Sequence, residues 1–357
     1  MIKDELHFSN IKNVFPELAI ECKGSTETKF NGVCSPEIPR ENALIFCTRF
    51  NFIETALQSN AGGVVVAQKV FAEVCARNSG KIVMSSPNPE LLMAKVINHF
   101  VLASPPRDLP GTGIHKAAVV EASAQIDPTA HICPGVVIGH KVKIAAHVYI
   151  GANSVIESDS EIGEYTTIHP LVFIGPRVKI GTHCEILSNS SIGKEGFGYA
   201  HDAMGKHFRI PHQGWVIIGD YVHLGACNTI DRGTFGETRI GSGTKTDNQV
   251  HIAHNCKVGK GCLLTAGLRM AGSSILGDFV VTGGNSLIAG HTKVTDRVNL
   301  AAQSAVSKDI TESGDYGGSP LLPLQQFLRM KSSMAHLPEM RKQINKLMKK
   351  IFPDEAP

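Results

Sequence analysis

Aromatic residues are scarce in this chain: they make up 6% of 357 positions, with a single Trp. A core built around large rings is thereby disfavoured, and 35 glycines suit a repetitive architecture with many tight corners. Charge of one sign is also lacking. A formal net charge of +3 argues against the concentrated basic face of a dedicated nucleic-acid binder. The nine cysteines are odd in number and none form a Cys-x-x-Cys pair, which argues against a disulfide framework or a zinc site and fits a reducing compartment. No apolar run approaches the roughly 20 residues needed to span a bilayer. The first residues lack the apolar stretch of a signal peptide. The expectation is a cytoplasmic protein with no stable membrane insertion and no nucleic-acid partner.

At this length one ordinary core does not suffice, and the sequence changes grammar along its course. Residues 1–103 read as a small α/β domain. Residues 43–46 and 62–67 are apolar runs of strand length, and residues 89–100 carry helical periodicity. Pro105, Pro106 and Pro110 mark a linker over 104–113.

From Ile114 an Ile or Val stands at every sixth position through Ile192, for fourteen consecutive positions. A second column runs four residues behind it and holds small or β-branched residues such as Ala130, Val148, Ser160 and Thr166. Neither the helical period of 3.6 nor the strand period of two gives this spacing. A period of six means a short strand plus a turn, and three such units close a triangular coil of 18 residues. Coils stack at the ordinary strand spacing of about 4.8 Å. The rhythm breaks over 194–215, resumes at Ile218, breaks again over 231–239, and then holds from Ile240 to Val306. The β-helix is thus expected over 114–310. Loops that interrupt a repeat are the usual carriers of function. Residues 311–357 form a helical tail, in which Leu337, Met340, Ile344, Leu347 and Ile351 make a short heptad seam flanked by lysines. That seam is expected to pack on partner chains or on a preceding helix near 324–330.

A smooth prism offers no cleft, so chemistry is expected where prisms meet or loops protrude. The densest polar stretch on the repeat is 247–256. His254 lies two residues past an inward position and should face outward. His291 follows 37 residues later, two coils plus one residue, roughly 10 Å along one edge by the strand spacing. A pair that far apart cannot share one metal but can contact one long substrate. An imidazole in such a cleft can act as general base. Glycine-rich turns such as 270–273 can present an amide to a developing oxyanion. His251 and His254 also have the spacing of a metal pair, with His223 as a third candidate; the reading adopted is no metal.

The strings Gly196-Phe197-Gly198-Tyr199, Ile217-Ile218-Gly219-Asp220, 225–233 (Gly225 to Gly233), Asp247-Asn248 and Ile252-Ala253-His254-Asn255 resemble the UDP-3-O-acylglucosamine N-acyltransferases of lipid A biosynthesis. The resemblance extends over nearly the whole chain. It implies the left hand of the parallel β-helix, which the period alone does not give, and a homotrimer in the cytoplasm of a Gram-negative bacterium. It implies transfer of a 3-hydroxyacyl chain from acyl carrier protein to the 2-amino group of a UDP-sugar, with no cofactor beyond the carrier's phosphopantetheine arm. On this reading His254 is the general base, Asp247 orients it, and Gly272 supplies the oxyanion N–H. Asn248, His291 and Phe197 join the substrate-binding set. In the N-terminal domain, Phe46, Arg49 and Phe52 correspond to the uridine site. Phe52 stands where the family commonly has Tyr, and Arg49 where it commonly has Asn. Stacking survives the first change, and the second offers a phosphate contact. Lys308 and Arg329 are candidates for docking the acidic carrier protein. Ala305 is small where related enzymes can carry a bulky ruler residue, which suggests a longer acyl chain. The alternatives are O-acyl transfer to UDP-N-acetylglucosamine and a non-catalytic scaffold.

Overall fold

The computed structural model describes residues 5–77, 80–101, 111–317 and 324–351. Most of the linker expected at 104–113 lies outside them. The chain divides into two compact units, Met1–Leu109 and Pro110–Pro357.

The first unit is built on a five-stranded sheet in the order Glu21–Lys23, Ile82–Ser86, Gly63–Ala67, Leu44–Phe46, Val33–Cys34. All neighbours are parallel except Glu21–Lys23. Alternation sends Leu44, Phe46, Val65 and Met84 to one core, where Leu92, Val96 and Phe100 of helix Pro89–Phe100 cover them. Ile45, Val64, Val66 and Val83 face a second core with Ile53 and Val74. Burial on both faces is why these strands read as continuous apolar runs. Helix Pro89–Phe100 starts where Asn88 accepts a hydrogen bond from the Leu91 N–H and Pro89 pre-sets the first turn.

The second unit is a left-handed parallel β-helix. Each inward aliphatic residue ends a short strand that pairs in parallel with the strand one coil on, as Ile138 does with Ile156 and Ile150 with Ile168. Among the described residues the three faces are sheets of ten, nine and eleven strands. The inward column from Ile132 to Ile192 is buried. The second column is more than small. The Ser160 hydroxyl donates to the Gly175 carbonyl at 2.8 Å and accepts from the Val178 N–H at 3.2 Å. Thr166 does the same toward Gly181 and Cys184. These buried hydroxyls tie each corner to the next coil, so none is left unsatisfied.

Glycine's place in the corners differs from the expectation. The left-handed corner position is held largely by other residues, with Lys141, His147, Asn153 and Asp159 at φ of 55 to 60°. The glycines that follow the inward Ile answer a different need. A Cβ on Gly151 would sit 2.4 Å from the Pro170 nitrogen, and one on Gly163 2.6 Å from the Gly181 carbonyl carbon. Coil-to-coil closeness demands them. One corner column carries His147, Tyr165, His183 and Tyr221 stacked at 4.8 to 4.9 Å between centroids, the coil spacing itself.

Two expectations for the C-terminal region are corrected. Strand Gly314–Tyr316 still pairs with Val298–Leu300, so coil structure extends past 310. The tail is one helix, Leu324–Ile351, running through Pro338. Among the described residues there is therefore no separate preceding helix for the seam to pack on. Leu337, Met340, Ile344 and Leu347 are exposed along it.

Candidate active site

Both breaks in the repeat fall at the same edge of the prism. The first joins strand Ser191–Lys194 of the ten-stranded sheet to Trp215–Ile218 of the nine-stranded sheet. The second joins Thr229–Asp231 to Glu237–Ile240 of the same two sheets. His254 follows His251–Ile252 at this edge one coil later, and Gly272 and Gly290 follow in turn. The Ser273 N–H donates to the His254 carbonyl at 2.9 Å, and the His291 N–H to the Gly272 carbonyl at 3.1 Å. His254 and His291 thus sit two coils apart on one edge, with Gly272 between them.

A cavity of 480 Å³ opens here, lined by Phe197, Asp231, His251, His254, Arg269, Gly272 and a mostly aliphatic wall from Met270 to Val306. The His254 ring is oriented by its own neighbour. Nδ1 lies 3.1 Å from Asn255 Oδ1 and 3.5 Å from Thr234 Oγ1. The Asn255 amide is fixed in sense, because its Nδ2 donates to the Phe235 carbonyl and its Oδ1 accepts from the Thr234 N–H. Oδ1 can only accept, so Nδ1 carries the proton and Nε2 carries the lone pair. A Cβ on Gly272 would lie 2.6 Å from Nε2, so the ring rests directly over that glycine. The Gly272 N–H makes no hydrogen bond among the described residues.

The loops wall the site on its N-terminal side. The first forms an antiparallel hairpin of Tyr199–His201 with His207–Arg209. It is pinned by Arg177 to the Gln213 carbonyl and by Lys194 to Asp231 at 2.6 Å. Asp231 is 2% exposed, and its other oxygen lies 3.9 Å from His251 Nε2. Burial lifts the Cys256 thiol above its usual range, so this nearby sulfur is no ready nucleophile.

Of the residues singled out in the sequence, the edge brings together His254, Gly272, His291 and Phe197, with Ala305 further along the groove. It does not bring in Asp247. That carboxylate lies across the face of the ten-stranded sheet, at its other edge, where it accepts from the Asn248 N–H at 2.7 Å. Within one chain Asn255 takes the orienting place expected of Asp247, because it follows the histidine at the same corner. Asn248 shares the far edge, its Oδ1 accepting from the Ala226 N–H at 2.7 Å. Asp231, Arg269 and His212 were missed. Asp231 had a signal, since it opens the second interruption.

Phe46, Arg49 and Phe52 line one cavity of 640 Å³ in the first unit, together with Glu37, Met93 and Ile97. Phe46 is 4% exposed and also belongs to the core, so it presents little more than an edge. Cys47 beside it has its thiol pushed up to about 12 by burial. Lys308 lines a separate 340 Å³ pocket at the end of the prism, and this pocket shares Ala305, Val306 and Ser307 with the groove at His254. Arg329 is exposed on the long helix.

A family model described as the GMPPB C-terminal domain matches residues 114–235. The UDP-3-O-acylglucosamine N-acyltransferase of Campylobacter lari is 42% identical over 279 residues, covering 78% of this chain and 83% of that protein. The enzyme of the same name from Campylobacter curvus is 48% identical over 143 residues, 40% of this chain and 45% of that protein. The chain thus matches slightly under half the length of the second relative and most of the first. Among solved structures, UDP-N-acetylglucosamine O-acyltransferase from Moraxella catarrhalis is 27% identical, covers 68% of this chain and 86% of that one, and has a TM-score of 0.45.

Proposed function

Because the chain belongs to the UDP-3-O-acylglucosamine N-acyltransferase family, we propose that it moves a 3-hydroxyacyl chain from acyl carrier protein to the 2-amino group of UDP-3-O-(3-hydroxyacyl)glucosamine, with His254 as general base. The observation that carries this reading is the His254 imidazole. Its proton is committed to Asn255 on Nδ1, and its Nε2 lone pair faces a half-enclosed, mostly aliphatic groove over Gly272.

The amine nitrogen attacks the thioester carbonyl carbon while His254 Nε2 takes its proton. The oxyanion of the tetrahedral intermediate is met by the Gly272 N–H. On collapse the C–S bond breaks, the thiolate takes the proton back from His254, and the amide remains. The aliphatic wall from Met270 to Val306 suits the acyl chain, and small Ala305 leaves the groove open toward the end of the prism. No cofactor is needed beyond the carrier's phosphopantetheine arm.

The cavity bearing Phe46, Arg49 and Phe52 is the proposed uridine site, with Arg49 toward phosphate. Asp247 and Asn248 are proposed to act across the clefts of a homotrimer, where two edges of different prisms meet, and His291 to bind substrate on the edge it shares with His254. Lys308 and Arg329 are proposed to receive the acidic carrier protein. No described helix is long and apolar enough to cross a membrane, and a cytoplasmic location is proposed.

His254→Ala, assayed with acyl carrier protein donors against both UDP-3-O-acylglucosamine and UDP-N-acetylglucosamine, tests the reading. Wild type should acylate only the amine acceptor, and the variant should lose about 10²–10⁴-fold in turnover. Near-normal turnover by the variant removes the general-base assignment, and transfer to UDP-N-acetylglucosamine removes the amine acceptor.

A further inference from the structure

We propose that His212, in the first interrupting loop, is a positioning residue for His254, and that its neutral ring steadies the positive charge His254 gains on taking a proton. The proposal rests on the reading of His254 as general base.

His212 is 2% exposed. Its Nδ1 lies 3.0 Å from the Ile210 carbonyl, which can only accept, so Nδ1 carries a proton. In the neutral ring the other nitrogen, Nε2, bears a lone pair. That atom is buried and has no hydrogen-bond partner. A buried acceptor without a donor calls for an explanation, and its surroundings supply one. The His212 ring meets the His254 ring edge-on, with centroids 5.1 Å apart and planes at 71°. The space between is tight. A Cβ on Gly196 would lie 3.1 Å from His212 Nε2, 3.1 Å from His254 Cβ and 3.2 Å from Asp231 Oδ2. A Cβ on Gly198 would lie 2.8 Å from His212 Cε1.

The Gly196-Phe197-Gly198 motif thereby acquires a physical reason. Its two glycines both lie close against the His212 ring, and the residue between them is Phe197, which lines the groove. One buried imidazole thus meets the ring of the base and packs closely against the glycines on either side of Phe197. The lone pair also puts the negative end of a fixed dipole beside a ring that becomes cationic during the reaction. Such pre-set dipoles act strongly where water is excluded. Besides His254, the charged or titratable groups lining the cavity are Asp231, His251 and Arg269, with Lys194 held by Asp231. Of these four and His212, His212 is the one in ring contact with His254.

The test uses the full-length enzyme. His212→Phe keeps a buried ring but removes the anchoring N–H and the lone pair. His212→Gln returns a polar amide near the position of Nε2. The phenylalanine variant should lose roughly ten- to a hundredfold in kcat, the scale of a slightly displaced catalytic group. KM for the nucleotide sugar and Tm should stay close to wild type, and the acid limb of the kcat profile should move to lower pH. The glutamine variant should recover most of the lost kcat. A wild-type kcat and pH profile in His212→Phe overturns the proposal. So does an equal loss in both variants accompanied by a lowered Tm. The ¹⁵N resonances of His254, followed through a pH titration, keep the test independent of turnover. If wild type acylates no amine, the reaction reading has failed, yet a lowered His254 midpoint in His212→Phe still supports the proposal and an unchanged one still removes it.

Discussion

Between Ile114 and Ile192 the inward column is Ile or Val without exception, whereas between Ile218 and Val306 it admits Leu, Met and two threonines. The two stretches obey the same six-residue rule and form the same three sheets. In the first, the inward side chains answer to packing and the second column to corner hydrogen bonds. In the second, the inward threonines bind backbone as well, Thr246 Oγ1 accepting from the Gly225 N–H at 3.1 Å and Thr282 Oγ1 from the Thr265 N–H at 3.3 Å. Both loops leave this edge at or near the boundary between the stretches, and His254, Gly272 and His291 follow in successive coils. A regular prism is a scaffold, and chemistry begins where its edge is broken and walled.

This contrast makes a pair of substitutions informative. Ile168 is fully buried in the regular stretch. Ile168→Ala should cost about 2–5 kcal/mol of stability through lost burial and a cavity, while kcat per folded molecule stays at wild type. Denaturant unfolding with an activity assay checks this, and a large fall in kcat would show that the two stretches are coupled after all.

Gly272→Ala should show the opposite pattern. Its φ lies outside the left-handed region that favours glycine, so backbone strain is not the obstacle. The added methyl would meet His254 Nε2 at 2.6 Å and displace the ring. A loss of about a hundredfold in kcat is expected, with little change in Tm. Retained activity would mean that the ring does not rest over Gly272 during turnover.

A smaller effect is expected at His223, in strand His223–Leu224 of the interrupted stretch. Burial first, and Lys245 second, hold its pKa below the usual value, with Glu185 opposing. The unfolded chain then binds this proton more readily than the folded one. Stability is unaffected well above an unfolded pKa of about 6.5 and falls as pH drops through and below it. A His223→Gln variant should show a shallower loss of Tm between about pH 6.5 and 5 than wild type. An identical slope would remove His223 from that pH dependence.

The inward column, the two breaks and the helical tail were legible because each is a repeated local demand. Ile138 and Ile156 face inward for the same reason, and any six-residue count finds both. His254, Gly272 and His291 were also within reach, since multiples of 18 residues predict a shared edge. Asp247 does not share that edge within one chain, for an equally physical reason. Seven residues exceed one side of the triangle, so the chain turns a corner between Asp247 and His254 and carries the carboxylate to the far edge of the sheet.

The sequence by itself thus determined the β-helix and the edge where residues would gather, because periodic burial is a local requirement that repeats. Only the tertiary structure decided how the loops fold back over that edge. The tautomer of His254 depends on an amide held by Phe235 and Thr234. The glycines flanking Phe197 depend on a histidine 14 residues beyond Gly198, buried against the base. Such contacts arise from shape and hydrogen-bond satisfaction between segments without a shared period, and no spacing rule encodes them.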